Sequence, residues 1–319
     1  MSELRHDPVT GRLVLLAPGR AARPHTVAPE PPDPAAVAAC PFCPGHEHET
    51  PPEVQRTGSG AAGEPGWRVR AFPNLFPIVG GDDPGPGGAG AHEVVALDPD
   101  HARDLARLDD GAVTELFGVL RDRARAHAAA GLAHTQVLVN HGRAAGASIA
   151  HPHAQVISVG LVPPLVAEGC ARFAAAGTDL VLADAAAAAA AGAGVAEGAA
   201  VTWCPLAAVS TSESRVAALA AGPRFADSTD ADLVAVAVAT RDLVAGITTV
   251  YGAVAYNVVV HSAPHVASAP DAQFHWYVTV VPRVATVAGF ELGTGLLVNT
   301  LDPVVAAERL RTAIAGGTP

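Results

Sequence analysis

Apolar positions recur every three or four residues between Ala112 and Gly131: Val113, Leu116, Phe117 and Leu120 share one side, and Arg121, Asp122, Arg123 and Arg125 supply a polar one. That spacing predicts an amphipathic helix. Short runs rich in β-branched residues flank it, His92 to Leu97 before and Thr135 to Asn140 and Gln155 to Val159 after. Each reads as a strand. The turn Asp98-Pro99-Asp100 is expected to lead into a helix beginning near His101. The same order returns later, with a helix at Asp230 to Gly246 and strands at Ala255 to His261 and Phe274 to Val281. The Pro-rich stretch 29–34 and the Gly/Pro/Asp run 80–91 read as loops, and the alanine-rich stretch 185–198 as a helix or a connection. The repeated order predicts an α+β fold of two similarly built halves, residues 1–165 and 166–319, each a mostly antiparallel sheet with packed helices.

Composition narrows the chemistry. Across 319 residues all 20 basic side chains are arginine and none is lysine. Schiff-base catalysis through lysine, a phosphate-loop lysine and a kinase strand lysine are therefore excluded. A formal charge of −11 argues against a sequence-independent nucleic-acid surface. The N-terminus, MSELRHDPVT, carries charges where a signal peptide needs an apolar core, and no stretch reads as a membrane span, so the expected compartment is the cytoplasm.

Two segments carry candidate chemistry. In the first, Asn140 to Gln155, a loop with Gly142, Gly146 and Ser148 joins two strands and ends in His151-Pro-His153-Ala-Gln155. Strand alternation places His151, His153 and Gln155 on one face and Ala154, Val156 and Ser158 on the other. Two imidazoles beside a Gly/Ser loop suit a phosphate-handling site in which one ring is a nucleophile. In the second, Cys40-Pro-Phe-Cys43 supplies two thiolates at metal-binding spacing, or a redox pair. Further ligands would come from His46, His48, His92, His101 or one of His151 and His153.

The chain resembles the galactose-1-phosphate uridylyltransferases and related nucleotidyltransferases of the histidine-triad superfamily. The resemblance runs through Arg5 to Arg12 and Ala17 to Pro24, Cys40 to Gly45, Phe72 to Pro77, His92 to Val95, Asp98 to His101, Asn140 to Gln155, Tyr256 to Pro264, Phe274 to Tyr277 and Gly289 to Gly295. It implies two histidine-triad-like halves, the first holding a zinc site and nucleophile and the second contributing to a sugar-phosphate site. It also implies transfer of a nucleoside monophosphate between a nucleotide sugar and a sugar 1-phosphate through a covalent nucleotidyl-histidine. By this resemblance His153 is the nucleophile, with Gln155 and Ser148 beside it. Cys40, Cys43, His101 and His151 hold a structural Zn²⁺; Arg20, Arg23, Asn74 and Asn140 contact the nucleotide and its phosphates; Glu291 and Asn299 face the sugar; and the protein is a homodimer. Glutamine at 155 stands where hydrolytic relatives carry a histidine, and an amide cannot protonate a leaving group. That favours transfer to an acceptor over hydrolysis. The substrate pair implied first is UDP-glucose with galactose 1-phosphate. The alternatives are an ADP-glucose phosphorylase-like adenylyltransferase using inorganic phosphate, which Leu75 favours because uridylyl-specific members tend to carry an acidic residue there, and a non-catalytic nucleotide-sugar-binding protein, against which the retention of both histidines and Gln155 argues. A second metal site of some members uses an H-x-H that His275-Trp-Tyr277 lacks, so its loss is expected.

Overall fold

The helix written by Val113, Leu116, Phe117 and Leu120 forms over Asp110–Ala129 (α1), where those four side chains are buried and Asp109 caps the start by accepting from the Ala112 amide at 2.9 Å. In this computed structural model, residues 2–22, 37, 39–80, 88–266 and 273–316 are described. Arg23, the Pro-rich stretch 29–34 and residues 81–87 of the Gly/Pro/Asp run lie outside them. His101 does not open a helix: it remains in the turn after Asp98-Pro99-Asp100, and the chain becomes helical only at Leu105, in a single 3-10 turn.

Among the described residues, ten strands form one continuous sheet in which all neighbours are antiparallel. In spatial order they are β3 (Gln55–Gly58), β4 (Trp67–Pro73), β5 (Gly90–Ala96), β7 (His153–Val159), β6 (His134–His141), β11 (Tyr256–His261), β12 (Tyr277–Pro282), β10 (Ser214–Ala218), β9 (Ala200–Trp203) and β8 (Gly194–Ala196). Five strands from the first part of the chain meet five from the second at the β6–β11 pairing, where Asn140 stands opposite Asn257. A smaller sheet joins β1 (Glu3–His6), β2 (Leu13–Leu16) and β13 (Leu297–Asn299). The fold is α+β and mostly antiparallel, as the repeated pattern predicts. The alanine-rich stretch resolves into the end of a helix, Leu180–Ala190, capped by Asp179, followed by β8.

The long helix of the second part, Asp230–Tyr251 (α2), packs with α1, with the C-terminal helix Pro303–Ala315 (α3) and with β9, β10 and β12. It is 22 residues long, and an 18-residue window of it reaches a mean hydropathy of 1.7, long and apolar enough to cross a membrane, contrary to the sequence expectation. Half of it is buried in the protein, and its apolar face serves the core. One face of the sheet is committed to these helices, which bury Ala154, Val156, Val137, Val139, Val258 and Val260. The opposite face carries His92, His153, Gln155, Asn140 and Asn257, and that is where the candidate chemistry collects.

Near the second end of that face, Arg215 is buried among three carboxylates. It is bonded to Asp7, 2.9 Å from Asp184 and 3.8 Å from Glu213. The guanidinium ties the N-terminal segment to β10 and to the helix Leu180–Ala190.

Candidate functional site

Strand β7 begins at His153, so the alternation expected to align His151 with His153 and Gln155 stops one step short. His151 sits in the bend before the strand and turns to a different task. Its Nε2 donates to the Asp98 carbonyl at 2.8 Å, and a carbonyl only accepts, so Nδ1 carries a lone pair. That lone pair lies 3.5 Å from Cys43 Sγ, and His101 Nδ1 approaches the same sulfur to 3.3 Å. The ligand atoms of Cys40, Cys43, His101 and His151 all lie within 4.8 Å of one another. Two sulfurs and two imidazole nitrogens at this range can hold a tetrahedral metal ion. Without a cation the groups stay neutral: burial and the neighbouring Cys40 push the Cys43 thiol up to about 12, and burial pushes His151 down to about 4. A bound cation would hold the thiols as thiolates, with the neutral imidazole nitrogens as its other ligands.

The cysteine loop is fixed from below. Glu47 accepts from Trp67 Nε1 at 2.9 Å and from the Gly45 amide at 2.8 Å, and Arg70 pairs with Glu53 at 2.7 Å while donating to Thr50. Phe42, between the two cysteines, packs edge-on against Phe72 and His153. The cluster therefore backs directly onto the first residue of β7.

His153 is 6% exposed, and its Nδ1 donates to the His151 carbonyl at 2.9 Å. The ring is thereby held as the tautomer with Nε2 unprotonated. Burial lowers its pKa below the ordinary imidazole value. A neutral ring with a free Nε2 is the nucleophilic form at neutral pH.

Two residues further along β7, Gln155 accepts at Oε1 from His92 Nε2 at 2.8 Å. The Ile78 amide donates to His92 Nδ1 at 3.2 Å, which assigns the proton to Nε2. Held by its oxygen, Gln155 keeps its NH₂ for an acceptor. Asn74 packs its amide on the same ring, Nδ2 3.1 Å from Nε2, and accepts from the Phe76 amide at 2.9 Å. His92 is thus a partner of Gln155 and stands outside the metal cluster. The sequence offered it only as an alternative metal ligand; the signal that finds it is its place on a strand next to that of Gln155, knowable only once β5 is paired with β7.

The loop from Gly142 to Gly146 needs its glycines. Both have positive φ, +79° and +94°, and a Cβ on Gly142 would meet that of Ala255 at 2.9 Å. Ser148 is exposed in the bend that follows. Asn140, at the end of β6, accepts at Oδ1 from Asn257 Nδ2 at 2.7 Å.

The structure brings Asn74, Asn140, His153 and Gln155 to one region of the sheet and leaves others apart. Arg20 is exposed in the turn Pro18–Ala22. Glu291 accepts from the Ala288 amide and lines a cavity of about 380 Å³ with Arg12, His261 and Arg283. Asn299 is 2% exposed and spends its amide on the Ala208 carbonyl and the Leu301 amide. His261 bonds Thr279 and stacks on Tyr277, whereas His275 bonds Asp179 and the Ala218 carbonyl. The two histidines serve separate networks.

No family model matches the chain. It is 28% identical to the ADP-glucose phosphorylase of Arabidopsis thaliana, over 97% of this chain and 92% of that protein. The crystal structure of an ADP-glucose phosphorylase from Arabidopsis thaliana with bound ADP-glucose superposes with a TM-score of 0.84, at 27% identity over 98% of this chain and 99% of that one. A GalT-like protein from the same plant gives 0.82, also at 27%, over 97% and 98%. A uridylyltransferase gives 0.75 at 23% identity over 99% of both chains, a likeness of fold.

Proposed function

The chain is similar along its whole length to the galactose-1-phosphate uridylyltransferase family and its ADP-glucose phosphorylase relatives, and from that premise we propose that it is a nucleotidyltransferase working through a covalent nucleotidyl-His153. One observation carries the reading: the His151 carbonyl holds the proton of His153 on Nδ1 and leaves Nε2 free in a buried, neutral ring. Nε2 attacks the α-phosphorus of a nucleotide sugar, the bond from phosphorus to the bridging oxygen breaks, and the sugar 1-phosphate leaves with that electron pair. The acceptor oxygen then attacks phosphorus, the P–N bond breaks, and His153 is regenerated as the same tautomer. The Gln155 NH₂ donates to a phosphoryl oxygen throughout, and neither step asks it for a proton. Cys40, Cys43, His101 and His151 would hold Zn²⁺, whose contribution would be structural: it would neutralise the buried thiolates and lock the cysteine loop against β7.

Of the two substrate readings, ADP-glucose with inorganic phosphate as acceptor is the better supported. The greater likeness is to a protein of that activity, and Leu75, exposed beside Asn74, offers an apolar rather than an acidic neighbour to the base. Steady-state assay of both pairs tests this. Phosphate-dependent conversion of ADP-glucose to ADP and glucose 1-phosphate is expected to exceed exchange between UDP-glucose and galactose 1-phosphate. The reverse order would return the uridylyl reading to first place.

A further inference from the structure

Arg283, Asn257 and Asn140 form a line of side chains running from the second part of the sheet to the glycine loop between β6 and His153. Arg283 Nε donates to Asn257 Oδ1 at 2.5 Å, and Asn257 Nδ2 donates both to Asn140 Oδ1 at 2.7 Å and to the Ala145 carbonyl at 2.9 Å. The polarity is forced at both ends. A guanidinium has only donors and a backbone carbonyl only accepts, so one orientation of the Asn257 amide satisfies both neighbours. That orientation presents an N–H to Asn140, which is therefore held by its oxygen. The Asn140 NH₂ is turned the other way, and its Nδ2 lies 3.8 Å from the point where a Cβ would stand on Gly146.

An asparagine has two nearly isosteric amide orientations, and only one of them offers hydrogen to an anion. Phosphoryl oxygens accept and do not donate, so an Asn140 presenting its oxygen would repel the group it is meant to hold. We infer that Arg283 and Asn257 are positioning residues for nucleotidyl transfer. They fix Asn140 as a donor, and they hold the Ala145–Gly146 turn at the phosphoryl position in front of His153. The inference rests on the proposed function. It adds to it that a cation on β12's edge of the site, reached through a buried asparagine, sets the polarity of a group on β6. Donors preset in this way cost no reorganisation during the reaction.

The test uses the full chain and single-turnover formation of the protein–nucleotide adduct, followed by intact mass with ADP-glucose or UDP-glucose, whichever labels the wild type. Asn257→Asp keeps the shape and an ion pair with Arg283, but an aspartate cannot donate to Asn140 or to the Ala145 carbonyl. Its rate at saturating donor is expected to fall about 100-fold, the scale of losing one preset oxyanion donor, while metal content and melting temperature stay near wild type. Arg283→Leu removes one of the two groups that fix the Asn257 amide and leaves the Ala145 carbonyl as the other, so it is expected to lower the same rate by a smaller factor. Arg283→Gln, which still donates to Oδ1, is expected to restore most of it. Wild-type rates at saturating donor in both Asn257→Asp and Arg283→Leu would overturn the inference, as would equal losses in Arg283→Leu and Arg283→Gln. A wild-type protein that forms no adduct with either donor would instead overturn the proposed function, and the positioning role with it.

Discussion

The Nδ1 of His153 lies 2.9 Å from the carbonyl oxygen of His151. Through that contact the backbone of a residue in the candidate metal cluster sets the tautomer of the candidate nucleophile, while its ring turns its Nδ1 toward Cys43 of that cluster. The two functions of His151 are separable by substitution. His151→Asn keeps the carbonyl and removes the cluster's fourth ligand, so bound zinc is expected to fall well below one equivalent and the melting temperature to drop. Metal analysis and thermal unfolding check this; unchanged zinc content and stability would show that the cluster is not a structural metal site.

Stability is expected to decline in mild acid. Burial holds His134 to about 4 and His261 to about 3, both below the ordinary value of 6.5. Between those values the unfolded chain binds protons that the folded chain does not, so stability is full above about pH 6.5 and falls as pH drops toward 4. Denaturant midpoints at pH 7 and pH 5 measure the slope. His134→Phe removes one contributing group, and the slope is expected to become shallower.

His92→Phe fills the same space and cannot donate to Gln155. The amide of Gln155 is then free to present its oxygen, and the rate of nucleotidyl transfer is expected to fall by up to about 100-fold, as for other displaced catalytic groups. Pre-steady-state kinetics with unchanged zinc content would distinguish this from damage to the neighbouring metal cluster.

Arg215→Met would leave Asp7, Asp184 and Glu213 buried together without their cation. Removing one partner of a buried ionic cluster costs about 3–5 kcal/mol, and urea unfolding is expected to show a loss of that size.

Much of this was legible in the sequence, and the failures have physical causes. The helix of Val113, Leu116, Phe117 and Leu120 and the strands on either side of the glycine loop follow from periodicity, because one face of each is buried against its neighbours. The four residues of the metal cluster were assigned by family resemblance, and the structure draws them together. The expectation of His151 on the strand face failed because Pro152 and the Asp98 carbonyl end the regular pairing at His153. The partners of Gln155 and Asn140 were not legible. His92 lies 63 residues from Gln155, and Asn257 lies 117 from Asn140; only the strand order β5-β7-β6-β11 brings them together. Asn299, expected near Glu291, is buried, with its amide bonded to the Ala208 carbonyl and the Leu301 amide.

The most direct test of the central claim is the intact mass of the protein after brief incubation with ADP-glucose, before and after acid treatment, in wild type and in His153→Gly. The expected result is an acid-labile increase of one adenylyl group in the wild type and none in the variant. An adduct of the same size and lability in His153→Gly, or no adduct in the wild type with ADP-glucose or UDP-glucose, would contradict a nucleotidyl-His153 intermediate.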